Sequence, residues 1–101
     1  MRMLMHVIPA VEKFNDAVRK GTAGSTLNKI LETMKPEATY FTEANGRRSM
    51  ILIVDLAEPS KIPALAEPWF LAFNAEVRFQ VVMTPQDLQR AGLEDLGKKW
   101  G

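Results

Sequence analysis

The sequence predicts a small α+β domain built on an antiparallel sheet, and three observations carry that prediction. Asn45-Gly46 lies between two strand-like runs, ATYFTEA before it and RRSMILIVD after it. Asn-Gly flanked by such runs is the strongest short-range hairpin signal, because a type I′ turn needs positive φ at both central residues. Further strand-like runs stand near the two ends, at Arg2–Ile8 and at residues 75–83. Helical periodicity fills both intervals between these outer strands and the hairpin, at residues 10–34 and 60–73. Strands separated by helical segments of this length call for crossover connections within one sheet.

Taken in order, Arg2–Ile8 is the first strand, and Pro9 ends it because proline cannot donate to a ladder. His6, the only histidine, sits inside this strand. Residues 10–20 follow a helical pattern, with Val11, Phe14, Ala17 and Val18 on one face. Gly21-Thr22-Ala23-Gly24 interrupts the pattern, and Ser25 offers a cap for a second helical piece over 26–34. Pro36 stops that helix and pushes Lys35 towards an extended conformation. In the hairpin, a two-residue turn sets Ala44 opposite Arg47, Glu43 opposite Arg48, Thr42 opposite Ser49 and Tyr40 opposite Ile51. The Glu43–Arg48 cross-strand pair is expected to contribute only about 0.2–1 kcal/mol. Met50 to Val54 is apolar at every position, which calls for cover on both faces of the sheet.

After the hairpin, Ser60 is the expected N-cap of a helix reaching Phe73. Pro63 is tolerated in the first turn, and Pro68 is expected to kink the interior. Ile62, Leu65, Trp69 and Phe73 are spaced at three and four and form its buried stripe. Residues 75–83 alternate, with Val77, Phe79, Val81 and Met83 on one side and Glu76, Arg78, Gln80 and Val82 on the other. Thr84-Pro85-Gln86-Asp87 reads as a capping box opening a short helix that Gly92 ends. Residues 1–92 thus form one domain, and 93–101 is a tail without an assigned place.

The order β-α-β-β-α-β plus a terminal helix is the split βαβ, or ferredoxin-like, arrangement. Right-handed crossovers put the main helices on one face and give the strand order 4-1-3-2. The other face carries partly apolar side chains and needs a partner. Two such sheets packed face to face make a dimeric α+β barrel, so the expected partner is a second copy of the chain.

Several stretches carry a resemblance across most of the chain: DAVRKGTAG at 16–24, KPEATY at 35–40, FTEANGR at 41–47, LAEPWFLAFN at 65–74 and MTPQDLQRAG at 83–92. With them the sequence resembles small bacterial proteins of unknown function in the dimeric α+β barrel superfamily. The resemblance implies the ferredoxin-like fold, a homodimer and a cavity between the sheets. It implies no mechanism. The superfamily also contains muconolactone isomerases, antibiotic-biosynthesis-type monooxygenases and small haem-degrading enzymes, and none of their motifs can be matched here residue by residue.

Composition narrows the function classes. The chain has 101 residues, a formal net charge of +1 and no cysteine. A nearly neutral chain offers no general attraction for nucleic acid or anionic lipid. Without cysteine there are no disulfides, thiolate metal sites or cysteine nucleophiles. The opening MRMLMHVIPA is too short an apolar run for a signal peptide or a membrane span, so the expectation is a soluble cytoplasmic protein that meets no membrane. One histidine makes a protein zinc site improbable, and no Ser-His-Asp arrangement can be argued. No cofactor is expected.

His6 is the sharpest candidate for chemistry, as a general base or ligand anchor in a cavity; the plainer role is a histidine bonded at a dimer interface. Arg78, mid-strand among apolar residues, would bind an anionic ligand or pair with Glu43, Glu76 or the other subunit. Gln80 shares its face. Tyr40 would donate to a bound carbonyl or carboxylate if it faces the cavity, and is core if it faces the helices; the sequence leaves both parities open. His6, Arg78, Gln80 and Tyr40 are therefore the expected cavity lining. The expected function is binding of a small organic molecule between the sheets, with a cofactor-free oxygenase or isomerase as its concrete catalytic form. One alternative is a non-catalytic dimerisation module. Another is a KH-like RNA binder using Gly21-Thr22-Ala23-Gly24 as its backbone clamp, although that loop holds no basic residue.

Overall fold

A computed structural model describes residues 1–101. The sheet has four strands, β1 (Arg2–Ile8), β2 (Ala38–Ala44), β3 (Arg47–Asp55) and β4 (Glu76–Val81), in the order β2-β3-β1-β4. This is the expected order 4-1-3-2 read from the opposite edge. Every neighbouring pair is antiparallel. The hairpin register follows the turn: Glu43 pairs with Arg48, Thr42 with Ser49 and Tyr40 with Ile51. Asn45 and Gly46 both adopt positive φ, 52° and 77°, as a type I′ turn requires.

Helices α1 (Val11–Arg19), α2 (Ala23–Met34) and α3 (Ile62–Phe73) supply the cover for one face of the sheet. The core is a single cluster of Met3, Met5, Val7, Met50, Leu52 and Val54 from the central strands with Ile30, Trp69 and Phe73 from the helices. Trp69 and Phe73 are almost completely buried, and the Phe14 ring lies 4.9 Å from that of Phe73. Full burial of each such side chain contributes about 1.5–3 kcal/mol. The stripe expected from spacing in α3 is thus the stripe that packs.

Several local details differ from the sequence reading. The helix α2 begins at Ala23, so Gly24 lies in its first turn and Ser25 is not its cap; the Ser25 hydroxyl donates back to the Thr22 carbonyl instead. Lys35 is left-handed at φ 51° rather than extended, because it closes α2 with its N–H on the Leu31 carbonyl before Pro36 redirects the chain. Ser60 lies within a short 3-10 turn, Pro59–Lys61, and its hydroxyl donates to Glu58, so it does not cap α3. Glu43 and Arg48 stand opposite each other, yet Glu43 accepts the Gly46 N–H while Arg48 donates to Asn15 and lies over the Phe14 ring. Local backbone and cross-element partners outcompete a solvent-exposed ion pair.

Beyond β4 the chain forms α4 (Pro85–Arg90) and α5 (Leu93–Trp100). The capping box is present: the Thr84 hydroxyl accepts from the Asp87 N–H, and Asp87 accepts from the Thr84 N–H. The tail over 93–101 is thus largely a helix, and no residue of α4 or α5 is buried. The molecule is correspondingly long, 59 × 29 × 19 Å, with a radius of gyration of 17.0 Å. A compact domain of this length has a radius near 13 Å, roughly, so α4 and α5 form a projecting arm.

Candidate functional site

The register of the whole sheet settles which residues share a face. His6 pairs with Ile51 on one side and Arg78 on the other, and Ile51 pairs with Tyr40. Tyr40, Ile51, His6 and Arg78 therefore form one row straight across all four strands. The next row is Ala38, Ile53, Leu4 and Gln80. Their neighbours along the strands, Met5, Val7, Met50 and Leu52, point into the helical core. The rows through His6 and Leu4 thus lie on the opposite face, away from α1, α2 and α3. All four residues expected to line a cavity are brought to this face, and the parity of Tyr40 is decided: it is 62% exposed. Leu4, His6, Ile51 and Ile53 are half-buried, while Arg78 and Gln80 are exposed.

Two of these residues have protein partners. His6 Nε2 lies 3.1 Å from Ser49 Oγ. The bond forms in either imidazole tautomer, with the hydroxyl donating to a bare Nε2 or accepting from Nε2–H. Ser49 is 1% exposed, so its hydroxyl is closed to a substrate and acts as an anchor for the imidazole, not as a nucleophile. No serine-histidine pairing is visible in the sequence, because residues 6 and 49 meet only through the β1–β3 register. Arg78 Nη2 lies 2.8 Å from Glu76 Oε2, the in-strand partner among those expected for it. An anion binding at Arg78 would have to compete with that carboxylate. Tyr40 and Gln80 remain available as a hydroxyl and an amide on the open face.

Trp69 and the Gly21–Gly24 stretch stay apart from this face. Trp69 is core, and its indole Nε1–H is buried without a partner. Arg47 has the parity of Ser49 and Ile51, so it belongs to the open face at the turn end of β3, where it donates to the Pro9 carbonyl at 3.0 Å. Between α1 and α2 the break is confined to residues 20–22, so the Gly21–Gly24 stretch is half loop and half helix. No group of three or more His, Asp or Glu side chains is placed to hold a metal ion. No helix is long and apolar enough to cross a membrane.

One feature of the opposite side escapes sequence reading altogether. A groove of about 830 Å³ runs between α2 and α3, floored by Ile30, Met34, Leu65 and Pro68 and edged by the exposed Leu71. Lys29, Lys61 and Asp55 supply its charges. A smaller hollow of about 430 Å³ lies where the arm leaves the sheet, between Arg2, Glu37, Met83 and Asp87. Asp87 has its carboxyl held below the usual Asp range, first by the Thr84 backbone N–H and then by the Thr84 hydroxyl, with Arg90 and Arg2 adding to the effect.

Comparison with protein-family models and with curated proteins gives no match for this chain.

Proposed function

We propose that the chain acts as a homodimer whose open sheet faces meet, and that the space between them binds a small organic molecule. The observation that carries this reading is the row Tyr40-Ile51-His6-Arg78, a mixed apolar and hydrogen-bonding strip on a face that none of the chain's own helices covers. A binding site of this type combines apolar walls with a few fixed polar groups. Ile51, Ile53 and Leu4 supply the walls. Tyr40 and Gln80 supply neutral hydrogen bonds, and Arg78 supplies a charge for a carboxylate or enolate. His6, oriented by Ser49, is the side chain on this face placed to act as a general base, which makes cofactor-free isomerisation or oxygenation the catalytic form of the proposal.

The test is a chemically diverse thermal-shift screen on the dimer, with hits repeated on Tyr40→Phe, His6→Ala and Arg78→Ala. The expected result is a raised melting temperature for one chemical class, reduced in at least two variants while the solution mass stays that of a dimer. Hits that shift all variants equally would place the ligand elsewhere and overturn the site.

A second reading has specific support. His6 is paired with Ser49 and Arg78 with Glu76 within one chain, which is how polar groups are arranged when a face is to be packed dry. On this reading the sheet only dimerises, and a dimer whose melting no compound shifts would favour it. The RNA-binding alternative gains nothing from a Gly21–Gly24 stretch that is partly helical.

A further inference from the structure

The outer edge of β2 is a row of backbone groups without partners. In the order β2-β3-β1-β4, β2 bonds to β3 alone. The Leu56 N–H bonds the Met1 carbonyl just beyond the β1–β3 pairs, so the even-numbered residues of β3 turn their backbone groups towards β1 and the odd-numbered ones towards β2. The partners of those odd-numbered residues are Ala38, Tyr40, Thr42 and Ala44. Thr39, Phe41 and Glu43 therefore direct their N–H and C=O groups outward, and no bond from a turn, loop or cap reaches them.

Edges that must stay unpaired are guarded by lysine, proline or free charges. β2 contains neither lysine nor proline. Its one charge, Glu43, accepts the Gly46 N–H at the turn. Its middle is aromatic on both faces, with Tyr40 and Phe41 each 62% exposed. Phe41 pairs with the buried Met50 and so lies on the helix side, yet it is no part of the packed core. Only a neighbour beyond the edge can cover it. The other outer strand, β4, differs. Glu76 and Arg78 form an ion pair on it, and Phe79 packs against the core.

We infer that β2 pairs antiparallel with β2 of a second copy, continuing the four-stranded sheet into one of eight strands. This goes beyond the reading of the open sheet face and uses a different surface. The occupant follows from the symmetry of the row, because Thr39 and Glu43 stand evenly about Phe41. A two-fold axis beside Phe41 sets Phe41 against Phe41 and Thr39 against Glu43, so all three outward residues meet outward residues in six N–H···O=C bonds. A slip of two residues either way leaves four. In the centred register each Glu43 meets a neutral Thr39, and no like charges are opposed. Phe41 covers its equivalent on the helix side, and Tyr40 lies beside Thr42 on the open face. The strip is short, so this contact is weaker than a standard interface and forms at high concentration, whatever the sheet face does at low.

Amide exchange of the full chain, read by NMR, tests this residue by residue. At millimolar concentration the Thr39, Phe41 and Glu43 amides should be protected at least tenfold more than after hundredfold dilution. The Tyr40 and Thr42 amides, bonded to β3, are the internal reference. Phe41→Lys sets two ammonium groups across the axis, and should remove the protection at 39, 41 and 43 while that at Tyr40 and Thr42 persists. The chain has no cysteine, so introduced thiols are the only ones. Mixed Thr39→Cys and Glu43→Cys chains should oxidise to a 39–43 disulfide in preference to 39–39 or 43–43. Opposite residues have Cα atoms about 5.5 Å apart, within disulfide reach, and the like pairs stand roughly 13 Å apart along the strands. Free exchange at residues 39, 41 and 43 at millimolar concentration overturns the edge pairing. A dimer mass by light scattering that Ile51→Arg abolishes would then leave the sheet-face reading standing. Protection that survives Ile51→Arg supports the edge pairing alone. Equal yields of the three disulfides overturn the two-fold register.

Discussion

At the scale of single residues, the His6–Ser49 bond is the contact that organises the open face. Ser49 is buried, so removing its partner leaves a hydroxyl without a hydrogen bond. His6→Ala should therefore destabilise the fold by about 1–3 kcal/mol, and Ser49→Ala by about 0.5–1.5 kcal/mol. The double substitution should cost less than their sum, because the orphaned hydroxyl disappears with its partner. Urea unfolding of the four proteins at one concentration measures this. Strict additivity would mean that the bond contributes nothing. Asp87 supports a pH prediction. Its carboxyl titrates lower in the folded arm than in the unfolded chain, so it contributes stability above the ordinary Asp range, lost as pH falls through its lowered folded value. Protection of the α4 amides, taken relative to their intrinsic exchange rates at each pH, should thus fall with acidification more than protection elsewhere in the chain changes. Asp87→Asn should flatten that dependence.

At the scale of elements, the hairpin and α3 have different tolerances. The hairpin depends on backbone conformation at its turn. Gly46 sits at φ 77°, and an alanine there would be forced into the left-handed region at a cost of roughly 1–2 kcal/mol. The space around it is open, so Gly46→Ala should lower the unfolding midpoint without crowding any neighbour. Helix α3 depends on packing. Trp69 is completely buried against Phe73, and Trp69→Ala should cost about 3–5 kcal/mol. A loss under about 1 kcal/mol would mean that the core closes around the missing ring. Pro68 precedes it and brings no N–H for the Ala64 carbonyl one turn back, at the groove between α2 and α3. The helix that supplies Trp69 and Phe73 to the core thus also builds one wall of the groove.

At the scale of the whole molecule, one face of the sheet and one side of the arm remain open in a single chain. The sheet face is proposed to be closed by a second copy, and such a protein couples folding to association. Its apparent melting temperature should then rise with protein concentration, because the associated state is favoured by mass action. Differential scanning across a hundredfold concentration range tests this. A constant midpoint would mean that the open surfaces contribute nothing to stability through association.

Much of this architecture is legible in the residues themselves, because the interactions that fix it are local or periodic. Asn45-Gly46 dictates the turn and the β2–β3 register, since positive φ at two successive positions admits few residue types. The spacing of Leu65, Trp69 and Phe73 dictates which side of α3 is buried, and Thr84 with Asp87 dictates where α4 begins. A serine alone does not fix a helix cap. Ser25 and Ser60 bond backwards into the preceding turn, a competition that depends on backbone geometry a few residues away. The tertiary structure alone decided the contacts between distant strands and helices. It set Ser49 beneath His6, turned Tyr40 to the open face and Arg48 away from Glu43, and opened a groove between α2 and α3. It also extended residues 93–100 as a free helix. These follow from registers and packing between segments tens of residues apart. Neither periodicity nor turn chemistry encodes them, because each segment leaves several partners open until the sheet is assembled.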